Sequence, residues 1–183
     1  METTKQTTNI REMVYVALFA ALITICSWIS IPTTVPVTLQ TFGICVAAGL
    51  LGKKLGTLSV LVYVLLGAVG LPVFAGFSGG LGVLLGTTGG YVLGFLFTAL
   101  VTGLVTERFG RSTPVMALGM VLGVVLCYFF GTAWFMVVYA NTSGPVGVLT
   151  ALSWCVFPFV VPDLCKIGLA ILLVRRLERV ISI

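Results

Sequence analysis

Apolar runs long enough to cross a bilayer fill almost the whole of this chain, broken only by proline, glycine or basic residues. The first begins at Met13, continues for about twenty residues and stops at Pro32, where a proline cannot supply the N–H of a continuing helix. A secretory h-region is shorter, ~7–15 residues, and no A-x-A site follows, so this run is expected to be a retained helix. Five more runs follow, giving expected spans near 13–31, 37–51, 55–71, 83–105, 114–139 and 148–174. The second is short for a bilayer core of ~30 Å, which implies tilt or an earlier start. Composition agrees. Of 183 residues, 59% are hydrophobic and 8% charged, with mean hydropathy +1.21, against roughly 25% charged residues in soluble domains. So few charges cannot hydrate a soluble surface of this size, and the expected fold is an all-α, polytopic membrane protein of six helices in one domain, residues 1–183.

The charges also set the orientation. Nine of the ten basic residues fall in four places: Lys5 and Arg11, Lys53 and Lys54, Arg108 and Arg111, and Arg175, Arg176 and Arg179. With six spans, all four places lie on one side. The opposite connections, 32–36, 72–82 and 140–147, carry no charged residue. Lys and Arg favour the cytoplasmic side, so both termini are expected there. Topology thus explains the net charge of +5, and no nucleic-acid partner is needed.

Several chemistries are excluded. The chain has no histidine, which removes Ser-His-Asp, Cys-His and His-metal sites. Its five cysteines, Cys26, Cys45, Cys127, Cys155 and Cys165, form no C-x-x-C and read as buried apolar fillers. The segment Gly49-Leu50-Leu51-Gly52-Lys53-Lys54 fails the phosphate-loop pattern, so the chain has no ATP site of its own. No metal or cofactor is expected.

One charged pair stands inside an apolar run, Asp163 and Lys166, at a spacing that shares a helix face. Ionisable groups in hydrocarbon cost at least ~2.5–3.5 kcal/mol each, and such a pair is either a structural salt bridge between helices or, the default in a membrane, a ligand or ion site. A helix starting at Pro162 would put it near the outer end. A helix starting near Val148 and kinked at Pro158 and Pro162 would put it near mid-membrane. Tyr91 follows Thr87-Thr88-Gly89-Gly90 inside the fourth span, and its hydroxyl needs a partner. Trp134, Phe135, Tyr128, Tyr139 and Trp154 read as interfacial anchors in preference to a ligand cage. Gly76-Phe77-Ser78-Gly79-Gly80-Leu81-Gly82 is too glycine-dense for a stable helix and reads as an external loop or cap. Gly119 and Gly123 read as helix-packing positions. A vitamin binder, a proton-coupled secondary transporter using Asp163, and a membrane enzyme all remain open on these residues, the last disfavoured by the single intramembrane acid.

Several motifs in order carry a resemblance: Val35-Pro36-Val37-Thr38-Leu39-Gln40-Thr41, Gly70-Leu71-Pro72-Val73-Phe74-Ala75, Gly79-Gly80 through Gly86-Thr87-Thr88-Gly89-Gly90-Tyr91, Gly131-Thr132-x-Trp134, and Pro162-Asp163-x-x-Lys166. Over nearly its whole length the chain resembles the biotin-binding S component of energy-coupling-factor transporters, the BioY family. Thr87 stands where the family commonly has proline. The resemblance implies high-affinity biotin uptake across a prokaryotic cytoplasmic membrane, powered by a transmembrane coupling protein and two ATPase subunits. It implies a ligand site at Asp163 and Lys166, with Tyr91, Ser78, Gly79 and Gly80 as further candidates. For the ligand's carboxylate, solvent, Ser78 or backbone N–H groups of residues 79–82 are the options. Ala17-x-x-x-Ala21 looks like the small-residue patch that docks on the coupling protein.

Overall fold

The computed structural model describes residues 2–33 and 35–179; Thr34 and the side chains of residues 2–9, Lys5 among them, lie outside the description. Helix α1 spans Glu2–Trp28. A two-rung antiparallel ladder follows, β1 Ser30–Ile31 against β2 Val37–Thr38. Residues 30–31 and 37–38, flanking Pro32 and Pro36 at the expected span ends, are therefore extended. Helical residues Gln40–Ala68 form α2. Beyond it lie a single 3₁₀ turn at Ala75–Phe77, a short α3 at Leu81–Leu85, α4 at Gly89–Phe109, α5 at Thr113–Ser143, α6 at Val148–Cys155 and α7 at Phe157–Leu177. Left-handed glycines close two of the long helices, Gly110 (φ 88°) after α4 and Gly144 (φ 98°) after α5.

α2 is not one rod. Gly52, at φ 74° and ψ −171°, breaks it into limbs 40–51 and 53–68. Gln40 Nε2 donates to the Tyr63 hydroxyl, 23 residues away. An unbroken helix would hold those residues about 35 Å apart. The limbs therefore fold back on each other, and a Cβ at Gly56 would come 2.8 Å from Ala48 Cα. Among the described residues, five apolar segments are long enough to span a membrane, and this hairpin lies inside one of them. Counting its two limbs separately gives the six expected spans, the second and third short.

The hairpin tip is pinned to α4. Glu107 Oε1 accepts the Lys53 N–H at 2.8 Å, and Glu107 Oε2 lies 3.5 Å from Lys53 Nζ. A Cβ at Gly103 would meet Lys53 Cα at 2.3 Å, so only glycine admits this contact. At the same end of the bundle, Arg111 reaches Glu178 at 3.5 Å and Arg175 donates to Thr113 Oγ1 at 3.0–3.2 Å. These basic clusters, distant in sequence, thus share one end of the molecule.

Small residues bring α4 and α5 together. Thr98 Oγ1 donates to Gly123 O at 3.1 Å and Thr102 Oγ1 to Gly119 O at 3.3 Å. The expected packing role of Gly119 and Gly123 is met by these threonines, because close backbone approach exposes the carbonyl to them. The sixth span is broken at Val156 (φ −125°, ψ −57°), with Pro158 in the first turn of α7. Pro162 lies inside α7, where its missing N–H leaves the Pro158 carbonyl without its helical partner. Of the two arrangements open in the sequence, the chain adopts the one that starts at Val148.

Candidate functional site: a buried ion pair beneath a cavity

Asp163 lies fifteen residues from Val148 and fourteen from Leu177, about 22 and 21 Å of helical rise, so it sits near the middle of the last span. It is 4% exposed and Lys166 9%. Lys166 Nζ donates to Asp163 Oδ1 at 2.6 Å. The Tyr128 hydroxyl, on α5, donates to Asp163 Oδ2. Both carboxylate oxygens are engaged, which offsets the cost of burying the charge. Tyr128 is thereby corrected from interfacial anchor to site residue. Among the described residues Lys166 Nζ makes this one hydrogen bond, and an ammonium has three N–H donors.

Above the pair is a cavity of about 340 Å³. Its lining includes Asp163, Lys166, Tyr128, Tyr91, Thr38, Gln40, Thr41, Ser78, Thr87 and Thr88 among mostly apolar side chains. This size and polarity suit a small organic ligand. The charge-free connections form its outer part, through Val35, Pro36, Phe74, Ala75, Ser78 and Gly82.

Local folding orients each wall. Thr38 Oγ1 donates to Gln40 Oε1 at 2.7 Å, and Gln40 in turn donates to Tyr63, which fixes the amide. The Tyr91 and Thr132 hydroxyls share a hydrogen bond of 2.8 Å. A Cβ at Gly131 would stand 2.3 Å from the Tyr91 ring, so glycine seats the ring there. The 72–80 segment covers one side. Phe74 packs edge-on against Tyr63 at 5.5 Å, in space that a Cβ at Gly67 would close. Phe77 adopts a left-handed φ of 56° and stacks on Trp28 at 5.0 Å, while Trp28 Nε1 donates to Pro72 O at 2.9 Å. A bulky residue at positive φ is costly, and the Trp28 stack accompanies that geometry.

The structure thus brings Asp163, Lys166, Tyr91 and Ser78 to one cavity. It leaves Gly79 and Gly80 outside the lining: Gly79 is pressed against the Leu71 carbonyl, and the Gly80 N–H is donated to Gly67 O at 2.7 Å. Ser78 Oγ donates to Ala75 O at 2.7 Å. Thr38, Gln40, Thr41 and Thr98 are polar lining groups that the residue-by-residue reading did not single out, and Tyr128 is one it placed at the interface. Cys127 and Cys155 line the cavity, and Cys165, expected to be buried, is exposed on α7. Ala17 and Ala21 lie on the outer face of α1, opposite buried Val16, Phe19, Ala20 and Ile23.

A six-span helical bundle enclosing a small cavity above a buried ion pair defines a ligand-binding integral membrane protein. The family model described as the BioY family matches residues 1–183, and the chain belongs to that family. It is 43% identical over 170 residues to the biotin transporter BioY of Thermotoga maritima, covering 92% of this chain and 96% of that protein. It is 40% identical over 169 residues to the probable biotin transporter BioY of Pyrococcus horikoshii, covering 92% and 96%. Its fold is similar, at a TM-score of 0.84 and 32% identity over 94% of this chain and 93% of that one, to the crystallised S-component for biotin from an ECF-type ABC transporter.

Proposed function

We propose that this chain is a high-affinity biotin-binding S component that performs no covalent chemistry and acts, over residues 1–183, as one substrate-binding unit. The observation that carries the reading is the Asp163–Lys166–Tyr128 cluster beneath the cavity. The fused ureido ring of biotin has two N–H donors and a carbonyl acceptor. Asp163 has carboxylate lone pairs for the donors, and Lys166 has ammonium protons for the acceptor. The apolar remainder of the cavity suits the ring carbons and the side chain. Tyr91 supplies a fixed aromatic wall, and Ser78 at the outer part is a candidate for the carboxylate, which it would bind by giving up its bond to Ala75 O. Titration of the purified full chain in detergent with labelled biotin is the test. One saturable site of sub-micromolar affinity, displaced by unlabelled biotin, is expected. Monodisperse protein that shows no saturable binding would overturn the reading.

Uptake itself is assigned to a complex with a transmembrane coupling protein and two ATPases, in the cytoplasmic membrane of a prokaryote. Supporting this, the chain has no phosphate-loop motif, and the exposed Ala17 and Ala21 leave α1 free for close helix contact. The end bearing Lys53, Arg108 and Arg175 is assigned to the cytoplasm, and the cavity mouth to the exterior. In an otherwise cysteine-free version, a membrane-impermeant thiol reagent applied outside should label Ser143→Cys and spare Lys54→Cys. The reverse pattern would reject the orientation.

A further inference from the structure

Behind the ligand cavity lies a second hollow of about 520 Å³, between α5 and the α6–α7 pair. Val124, Tyr128 and Asp163 line both spaces, so the two stand back to back. The groove's own walls are apolar, with Val125 and Ala133 on one side and Leu152 and Val160 on the other. All these residues lie in segments long and apolar enough to span a membrane. α5 packs closely along α4 but diverges from α6–α7, and the groove is the result.

The chemistry of the groove decides what fills it. Three of its lining residues are polar, and each is already engaged within the protein. Thr132 is bonded to Tyr91, Tyr128 to Asp163, and Asp163 also to Lys166. An ordered water needs two to four polar partners, and this surface offers it little. The medium outside a spanning segment is hydrocarbon. We infer that the groove is a lipid site: one acyl chain of a phospholipid inserts between α5 and α6–α7 and forms the membrane-side wall behind Tyr128 and Asp163. The chain fills an apolar space that would otherwise leave a buried carboxylate next to a void.

The test is independent of the ligand assignment, because its readout is covalent labelling by lipid. The full chain is placed in nanodiscs of phosphatidylcholine, a fraction of which carries a diazirine midway along one acyl chain. After photolysis, labelled residues are mapped by mass spectrometry. Label is expected on Asp163 or Tyr128, which line the inner wall of the groove, and on outward-facing Leu169 and Leu172. Ala133→Trp and Val160→Trp, each filling the groove with a ring, should abolish the Asp163 and Tyr128 label and leave that on Leu169 and Leu172 unchanged. Two variants are used so that one remains if the other does not fold. Parent protein labelled only at Leu169 and Leu172, or groove label that survives a folded filling variant, would overturn the inference.

Discussion

Replacing Asp163 by Asn or Lys166 by Met is expected to weaken biotin binding by at least tenfold, the largest effect of any single change in the cavity. Asp163→Asn keeps size and hydrogen-bonding groups but leaves the Lys166 ammonium buried without its counter-charge. Lys166→Met keeps length and leaves the carboxylate with Tyr128 alone. Removing one partner of a buried ion pair costs on the order of 3–5 kcal/mol, and a hydrogen bond to a charged group is worth about 1.5–3 kcal/mol. Part of that cost falls on folding, so the measurement is biotin titration on variants that remain monodisperse. Tyr128→Phe preserves the ion pair and removes one hydrogen bond, so it should lose less. Desthiobiotin, which keeps the urea and lacks the sulfur, should lose affinity in parallel with biotin on every variant. If well-folded Asp163→Asn and Lys166→Met bind like the parent, the pair is structural and the ligand lies elsewhere in the cavity.

A complete loss of a different kind is expected on α1. Ala17→Trp and Ala21→Trp should abolish co-purification with the coupling protein and ATPases while leaving biotin titration of the isolated chain unchanged. Both alanines face outward, and the helix buries its opposite face against α2, where Ile23 and Cys26 meet Gly43. In lipid, helices associate through close backbone contact at small residues, and an indole ring holds them apart. Neither substitution touches the cavity, which among the described residues has no lining residue on α1. Normal recovery of the full complex with both variants would show that α1 is not the docking helix.

Much of this architecture is legible in the residues because lipid imposes simple rules. Prolines 32 and 72 end apolar runs, basic clusters mark one side, and a charged pair inside an apolar run is hard to miss. What is hidden depends on tertiary pairing. Tyr128 stands 35 residues from Asp163, and nothing local separates a tyrosine that caps a carboxylate from one that anchors at an interface. The Thr38–Gln40–Tyr63 network exists only because the chain reverses at Gly52. The basic residues beyond it reveal that reversal as a topological break, but not which side chains it brings together. Gly79 and Gly80 are misleading for a related reason. A glycine-dense loop signals close backbone approach, and here the approaching backbone is residues 67–71 rather than a ligand.

The ion pair has a consequence for energetics across the membrane. Asp163 and Lys166 together carry no net charge, and they sit where the transmembrane field is felt. Moving one elementary charge through that field involves about 2.3 kcal/mol per 100 mV. A binding site with a lone carboxylate or a lone ammonium at this depth would be pulled one way by the resting potential whenever the protein shifted or tilted in the bilayer. With the two held 2.6 Å apart on one helix, such a motion displaces no net protein charge at the site. The charge that binding adds to the cavity is then the ligand's own carboxylate alone.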